Sequence, residues 1–359
     1  MSGPIQVESA EDIDPHWMTA ALRRYGFDCD VTSLSFAPIG TGQMADSFRF
    51  RLSVGASSTS APPPPTSVVV KMQAADPRSR EAGGAGAYET EVRFYTELAR
   101  TLSIRVPECY AATLPDESNR FALVLEDLAP AEQGDQIEGC DVDQAHAAVV
   151  NLAGLHGPRW CDPELRHLEW LRSADGEVAG LQPLLADFAE QFIEHYGSRV
   201  PKDDAPVLRA FAEASGSWLI GRGERFSAVH ADYRLDNLLF ATPAGGSPVA
   251  AVDWQTVMVG LPGRDLGYFL GNSLLPEDRR KSEHDLVAAY HEALVAEGVT
   301  GYSVEQCFDD YRYGQFHGLM ITLLASMMLT HTDRGDEMFL AMSSRACEAI
   351  RDLDSLDLL

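Results

Sequence analysis

Behind the capping Asp14 and the first-turn Pro15, apolar Trp17, Met18, Ala21 and Leu22 recur at helical spacing until Gly26, which predicts a short leading helix. From Val31 to Leu128 the period falls to two. Phe48, Phe50 and Leu52 alternate with Ser47, Arg49 and Arg51, and short Val-rich and Leu-rich runs follow. This predicts an antiparallel sheet of about five strands. One helix interrupts it, roughly Ala87–Leu102, with Tyr88, Val92, Tyr95, Leu98 and Ala99 on one face. The proline-rich stretch Ser53–Ser67 falls where a hairpin would join two strands and is expected to be a disordered loop. Beyond Leu128 helical spacing dominates, over Asp143–His156, Leu181–Tyr196, Ala205–Ile220, Ser282–Ala296, Val304–Thr330 and Asp336–Leu353. The expected class is α+β in two lobes, a β-rich one over 1–128 and a larger, mostly helical one over 129–359.

Composition narrows the functions open to such a chain. At 359 residues, 45% hydrophobic and 23% charged, it can bury a sizeable core without staples. Its 28 basic and 54 acidic residues give a net charge of -26, which would repel a nucleic-acid backbone. That acidity fits either a solvated surface or attraction of a cationic substrate. Six dispersed cysteines with no C-x-x-C pair suggest neither a cysteine zinc site nor a disulfide framework, and a reducing cytoplasm suits them. Residues Met1–Glu8 do not resemble a secretory signal, and the apolar run Leu319–Leu329 is too short to span a bilayer. Neither membrane nor nucleic acid is an expected partner.

The chemistry concentrates in four stretches. Val229–Phe240 carries the pattern H-x-D-x-x-x-x-N between two apolar runs, as His230, Asp232 and Asn237. A carboxylate and an amide five residues apart on one loop suit a base beside an acceptor hydroxyl and an oxygen ligand for magnesium. Sixteen residues after Asn237, the apolar run Val249–Val252 ends in Asp253, a second candidate for hard-cation ligation. Lys71 ends the run Val68–Val70, and an ammonium on an apolar strand needs an anion; Glu91, flanked by Val92 and Tyr95 on the apolar stripe, suits better than Glu89. Gly40-Thr41-Gly42 lies in a hairpin before Lys71, where backbone amides could cover phosphates.

With these parts in this order, the chain resembles the superfamily of aminoglycoside phosphotransferases, choline kinases and ecdysteroid kinase-like enzymes, over about Ile39–Leu270. The resemblance implies the bilobal protein-kinase-like fold, with 1–128 as nucleotide-binding lobe and 129–359 as catalytic and substrate-binding lobe. It implies ATP and magnesium as cofactors and a hydroxyl on a small molecule as acceptor. In that frame Lys71 is the ATP lysine, Glu91 its partner, Asp232 the base, and Asn237 and Asp253 the metal ligands. Phe121–Leu128 resembles the hinge, with backbone groups of Glu126 and Leu128 on adenine. His230 becomes a loop-organising residue, Arg234 a candidate to neutralise the transferring phosphate, and Asp265 a helix cap beneath the loop. Ala231 and Trp254-Gln255 depart from the protein-kinase pattern and point away from protein substrates. A catalytically inactive nucleotide- or ligand-binding homologue is the competing class. For the acceptor, Asp309, Asp310, Asp333 and Asp336 could attract an amino sugar or be solvated helix ends. Trp160, Tyr311, Tyr313 and Phe316 could line a pocket for a macrolide or steroid-like alcohol or belong to the core.

Overall fold

A computed structural model of the protein describes residues 7–40, 44–55, 63–173 and 178–359. These divide into two compact units: residues 1–100, 106–129 and 253–256, and residues 101–105, 130–252 and 257–359. The boundary after 129 is thus interrupted twice, and the segment 253–256 packs with the first unit.

In the first unit α1 (Pro15–Tyr25) is capped by Asp14, whose carboxylate accepts the Trp17 N–H at 2.7 Å, and it stops where Gly26 turns left-handed at φ 117°. The strands β1 (Val31–Ile39), β2 (Ala45–Val54), β3 (Ser67–Gln73), β4 (Cys109–Thr113) and β5 (Ala122–Glu126) form one antiparallel sheet in the order β1-β2-β3-β5-β4. Alternation along β3 buries Val68, Val70 and Met72 in the core shared with Trp17, Met18 and Leu22 of α1. Lys71 therefore projects from the opposite face. Of the stretch Ser53–Ser67, residues 56–62 lie outside the described residues.

Two helical features depart from expectation. A short α2 (Pro77–Gly84) precedes the expected helix; its glycines and charged residues carry no apolar stripe to betray it. The helix expected over 87–102 is α3 (Ala87–Arg93), followed by a wider π turn (Phe94–Leu98) and a tight 3-10 turn (Ala99–Thr101).

The second unit holds α4 (Val142–His156), α5 (Val178–Tyr196), α6 (Asp204–Ile220), α7 (Gly263–Ser273), α8 (Pro276–Ala296), α9 (Val304–Gly314), α10 (Phe316–Met328) and α11 (Asp333–Asp352). Its main core joins Phe192, Phe211, Trp218, Phe316, Leu319 and Met342 from four of these helices. Two small antiparallel sheets carry the loop of interest: β7 (Ser227–Val229) pairs with β10 (Met258–Gly260), and β8 (Leu238–Thr242) lies between β6 (Glu132–Gln133) and β9 (Gly245–Ala251). The helix expected over Val304–Thr330 is two, α9 and α10, broken at Gln315. The break follows a close helix crossing: a Cβ on Gly314 would lie 1.8 Å from the Gly263 carbonyl, and one on Gly267 would lie 2.4 Å from the Gly314 carbonyl carbon. No described helix is long and apolar enough to cross a membrane.

Candidate active site

The sequence-predicted residues gather into two groups, one in each unit. In the first, Lys71 Nζ lies 2.9 and 2.7 Å from the two carboxylate oxygens of Glu91 and 2.8 Å from Asp253 Oδ1. Burial works to strip Lys71 of its proton, but Asp253 and Glu91 outweigh it and hold the ammonium well above the ordinary lysine range. Glu91 is buried, and burial pushes its carboxyl up against the pull of Lys71. One cation faces two carboxylates, so the ionised trio sums to one negative charge.

Asp253 stands in this group because its neighbour is anchored there. Trp254 is fully buried and stacks flat on Phe94, ring centroids 3.8 Å apart at 6°, and its backbone N–H donates to Glu91 Oε1 at 3.3 Å. The π turn that begins at Phe94 presents that ring, and Asp253 takes a left-handed backbone at φ 67°. Gly40, also left-handed at φ 74°, ends β1, while Thr41 and Gly42 lie outside the described residues. At the end of β5 the Glu126 N–H is committed to the Glu108 carbonyl at 2.8 Å, and Leu128 is half-buried two residues on.

The second group is the loop between β7 and β8. Asn237 Nδ2 donates to the carboxylate and to the carbonyl of Asp232, both at 2.9 Å, which leaves its Oδ1 as the end available to a hard cation. Arg234 Nε lies 3.1 Å from Asp232 Oδ1, and its Nη1 bonds Asp236 at 2.9 Å. Arg234 is mostly buried; burial works against its charge, but Asp232 and then Tyr268 and Asp236 more than restore it. The Asp232 N–H donates to His230 Nδ1 at 3.3 Å, so the His230 proton sits on Nε2, which donates to the Val252 carbonyl at 3.1 Å.

Residues outside the motif fix this loop. Asp265, in the first turn of α7, caps no helix; its carboxylate accepts the backbone N–H groups of His230 at 2.6 Å and Ala231 at 2.9 Å, and His156 Nε2 at 3.2 Å. Burial works to raise the Asp265 carboxyl, but the His156 bond and the nearby histidines win and hold it below the ordinary range. Ala231 is left-handed at φ 63°, and its carbonyl accepts from His317 Nε2 at 2.9 Å. A strained residue is thereby clamped at both of its backbone polar groups. Tyr268, one turn beyond Asp265 on α7, donates its hydroxyl to Asp232 Oδ1 at 3.0 Å; burial and then the Asp232 charge push that hydroxyl well above the ordinary tyrosine range. Sequence reasoning missed Tyr268 and His317. The i, i+3 spacing of Asp265 and Tyr268 in the Gly263–Leu270 run was the available signal for the first.

The other acceptor-side candidates resolve differently. Asp309 pairs with Arg222 at 2.8 Å, and buried Asp310 with Arg222 and Arg225. Tyr311, Tyr313 and Phe316 are buried core residues, and half-buried Trp160 packs on Tyr302. Asp236, in the loop between β7 and β8, is answered by Arg234 and by Arg334 at 3.2 Å.

A buried lysine on the antiparallel sheet paired with a glutamate on α3, an aspartate two residues past β9, and an H-x-D-x-x-x-x-N loop among helices are the parts of a small-molecule phosphotransferase of the protein-kinase-like α+β fold. The chain belongs to the phosphotransferase enzyme family, whose sequence profile matches residues 68–306, about two thirds of its length. Among the solved structures that share the fold are three. One is a candidate aminoglycoside phosphotransferase from Ralstonia eutropha JMP134, 18% identical, with 96% of this chain and 97% of that one covered at a TM-score of 0.53. Choline kinase from Cryptosporidium parvum is 11% identical, with 90% and 92% covered at 0.55. Ethanolamine kinase from Plasmodium vivax is 12% identical, with 88% and 82% covered at 0.52. No curated protein matches the chain.

Proposed function

We propose that the protein is an ATP- and magnesium-dependent kinase that places the γ-phosphate of ATP on a hydroxyl group of a small molecule in the cytoplasm. The observation that carries this reading is the setting of Asp232: its carboxylate is aligned by Asn237, Arg234 and Tyr268, on a loop whose backbone is pinned by Asp265. Phosphoryl transfer needs positioning and charge neutralisation rather than covalent catalysis, and the residues present supply both. Asp232 orients the acceptor hydroxyl and takes its proton. Arg234 offers a permanent charge to the transferring phosphate. Lys71 serves the α and β phosphates, with Glu91 holding it in place. Gly40, Thr41 and Gly42 cover the phosphates, and the Glu126 and Leu128 backbone receives adenine.

Magnesium suits the donors present, since the trio of Lys71, Glu91 and Asp253 carries one surplus negative charge and Asn237 keeps a neutral oxygen available. Asp253 and Asn237 would hold the ion, which neutralises phosphate charge. Among acceptors, the reading covers aminoglycosides, amino sugars, macrolides and steroid-like alcohols. Because Asp236 is neutralised by Arg234 and Arg334, and Asp310 by Arg222 and Arg225, uncharged alcohols take precedence over polycations.

The test is a thermal-shift screen of hydroxylated metabolites and antibiotics with magnesium and a non-hydrolysable ATP analogue, followed by ADP release with each hit. Release that depends on the acceptor and disappears in Asp232→Asn is expected. Acceptor-independent melting shifts without any ADP release would assign the chain to the inactive nucleotide-binding class instead.

A further inference from the structure

Away from the motif residues, two segments distant in sequence bring three side chains together within the helical unit. His195 lies in the last turn of α5, His331 just before α11, and Asp336 in the first turn of α11. One nitrogen from each histidine and one Asp336 oxygen all lie within 4.8 Å of one another. The two imidazoles are stacked, centroids 4.5 Å apart at 30°, and His331 Nδ1 is 2.9 Å from Asp336 Oδ1. Both histidines are exposed and Asp336 is partly so, so no core packing accounts for the meeting.

We propose that His195, His331 and Asp336 bind a divalent transition metal of the zinc class, at a site distinct from the magnesium ligands of the phosphotransfer reaction. The donor set decides the class of ion: two imidazole nitrogens and a carboxylate oxygen suit zinc, cobalt or nickel, whereas magnesium and calcium take oxygen. The spacing is compatible. Tetrahedral bonds of about 2.0–2.1 Å put donor atoms about 3.4 Å apart. The 2.9 Å pair opens by about half an ångström, and the widest separation, at most 4.8 Å, closes by about one and a half at most. Rotation of exposed side chains covers both. Asp336 also has the outer support that metal ligands use, since the Tyr196 hydroxyl donates to its Oδ1 at 2.8 Å. With three protein donors, a fourth position stays open to water or to a ligand atom.

The site bears on the reaction through one residue. Arg334 sits between His331 and Asp336 and bonds Asp236, which pairs with Arg234 beside Asp232. A metal that ties α5 to the start of α11 would hold Arg334 against that group.

The test uses the full chain stripped with a chelator, then titrated with cobalt and zinc in excess magnesium. One saturable equivalent, the visible bands of tetrahedral cobalt and a zinc-dependent rise in melting temperature are expected. All three should vanish in the His195→Gln/His331→Gln double variant. Should that variant fold poorly, Asp336→Asn is expected to weaken zinc binding by at least about tenfold. No saturable zinc binding by the unaltered chain would overturn the proposal, as would undiminished binding in the variants.

Discussion

Lys71 and Asp232 are both charged groups set for work, yet the two units hold them by opposite means. Lys71 is held by its side chain's ion-pair hydrogen bonds, one ammonium shared between Glu91 and Asp253 on separate elements. Asp232 sits on a loop whose backbone is bonded to Asp265 and His317, and its carboxylate takes bonds from Asn237, Arg234 and Tyr268. Under the proposed function, the first arrangement can exchange partners when a divalent cation and phosphates arrive. The second fixes geometry in advance and spends backbone strain to do so. Under the same proposed function, adaptable charge falls to the nucleotide and rigid placement to the acceptor.

Substitutions can break that contrast. Asp232→Asn should lower turnover by about 10³-fold while ATP affinity, read by calorimetry, stays within about twofold. Lys71→Ala should cost about 10²-fold in kcat/KM and should weaken nucleotide binding as well, the signature of a charge that acts on the nucleotide. Equal effects on the two parameters in both variants would erase the distinction.

Asp265→Asn sharpens it through stability and pH. Breaking a buried, charge-assisted network costs about 3–5 kcal/mol in chemical denaturation. Because the folded value of Asp265 is depressed, its contribution is complete above the ordinary 3.8 and is lost as pH falls through the folded value. The variant should therefore lose part of the decline in stability seen below about pH 4. Lys71 has the opposite sign: its raised folded value makes its contribution complete below the ordinary 10.5 and lost only as pH rises beyond it. Lys71→Met should also alter the acid limb, because it removes the pull that offsets burial of the Glu91 carboxyl and so raises that group further. Tyr268→Phe removes one bond to Asp232 and should lower kcat by about tenfold with KM unchanged. Smallest of all, Ala231→Gly relieves a left-handed alanine and should change stability by less than about 1 kcal/mol.

Much of this was legible because it is local. Period-two alternation along β3 puts Lys71 on the face opposite Val68 and Val70, and the spacing of His230, Asp232 and Asn237 marks a loop between two apolar runs. The braces of the loop are not local. Asp265 and Tyr268 lie on α7, where Gly263, Gly267 and Gly271 dilute the apolar pattern that would announce a helix, and His317 lies on a helix that reads as plain core. Nor could spacing place Asp253 with the sheet unit, because the stack of Trp254 on Phe94 joins residues 160 apart. The helix-cap role expected for Asp265 fails for the same reason: its partners come from the loop, not from its own helix.

The glycines at the crossing of α7 with α9 set a limit on how this enzyme can change. Gly267 lies between Asp265 and Tyr268, so a methyl group there would push aside the helix that carries both. Drift at this seam would therefore cost packing and loop geometry together.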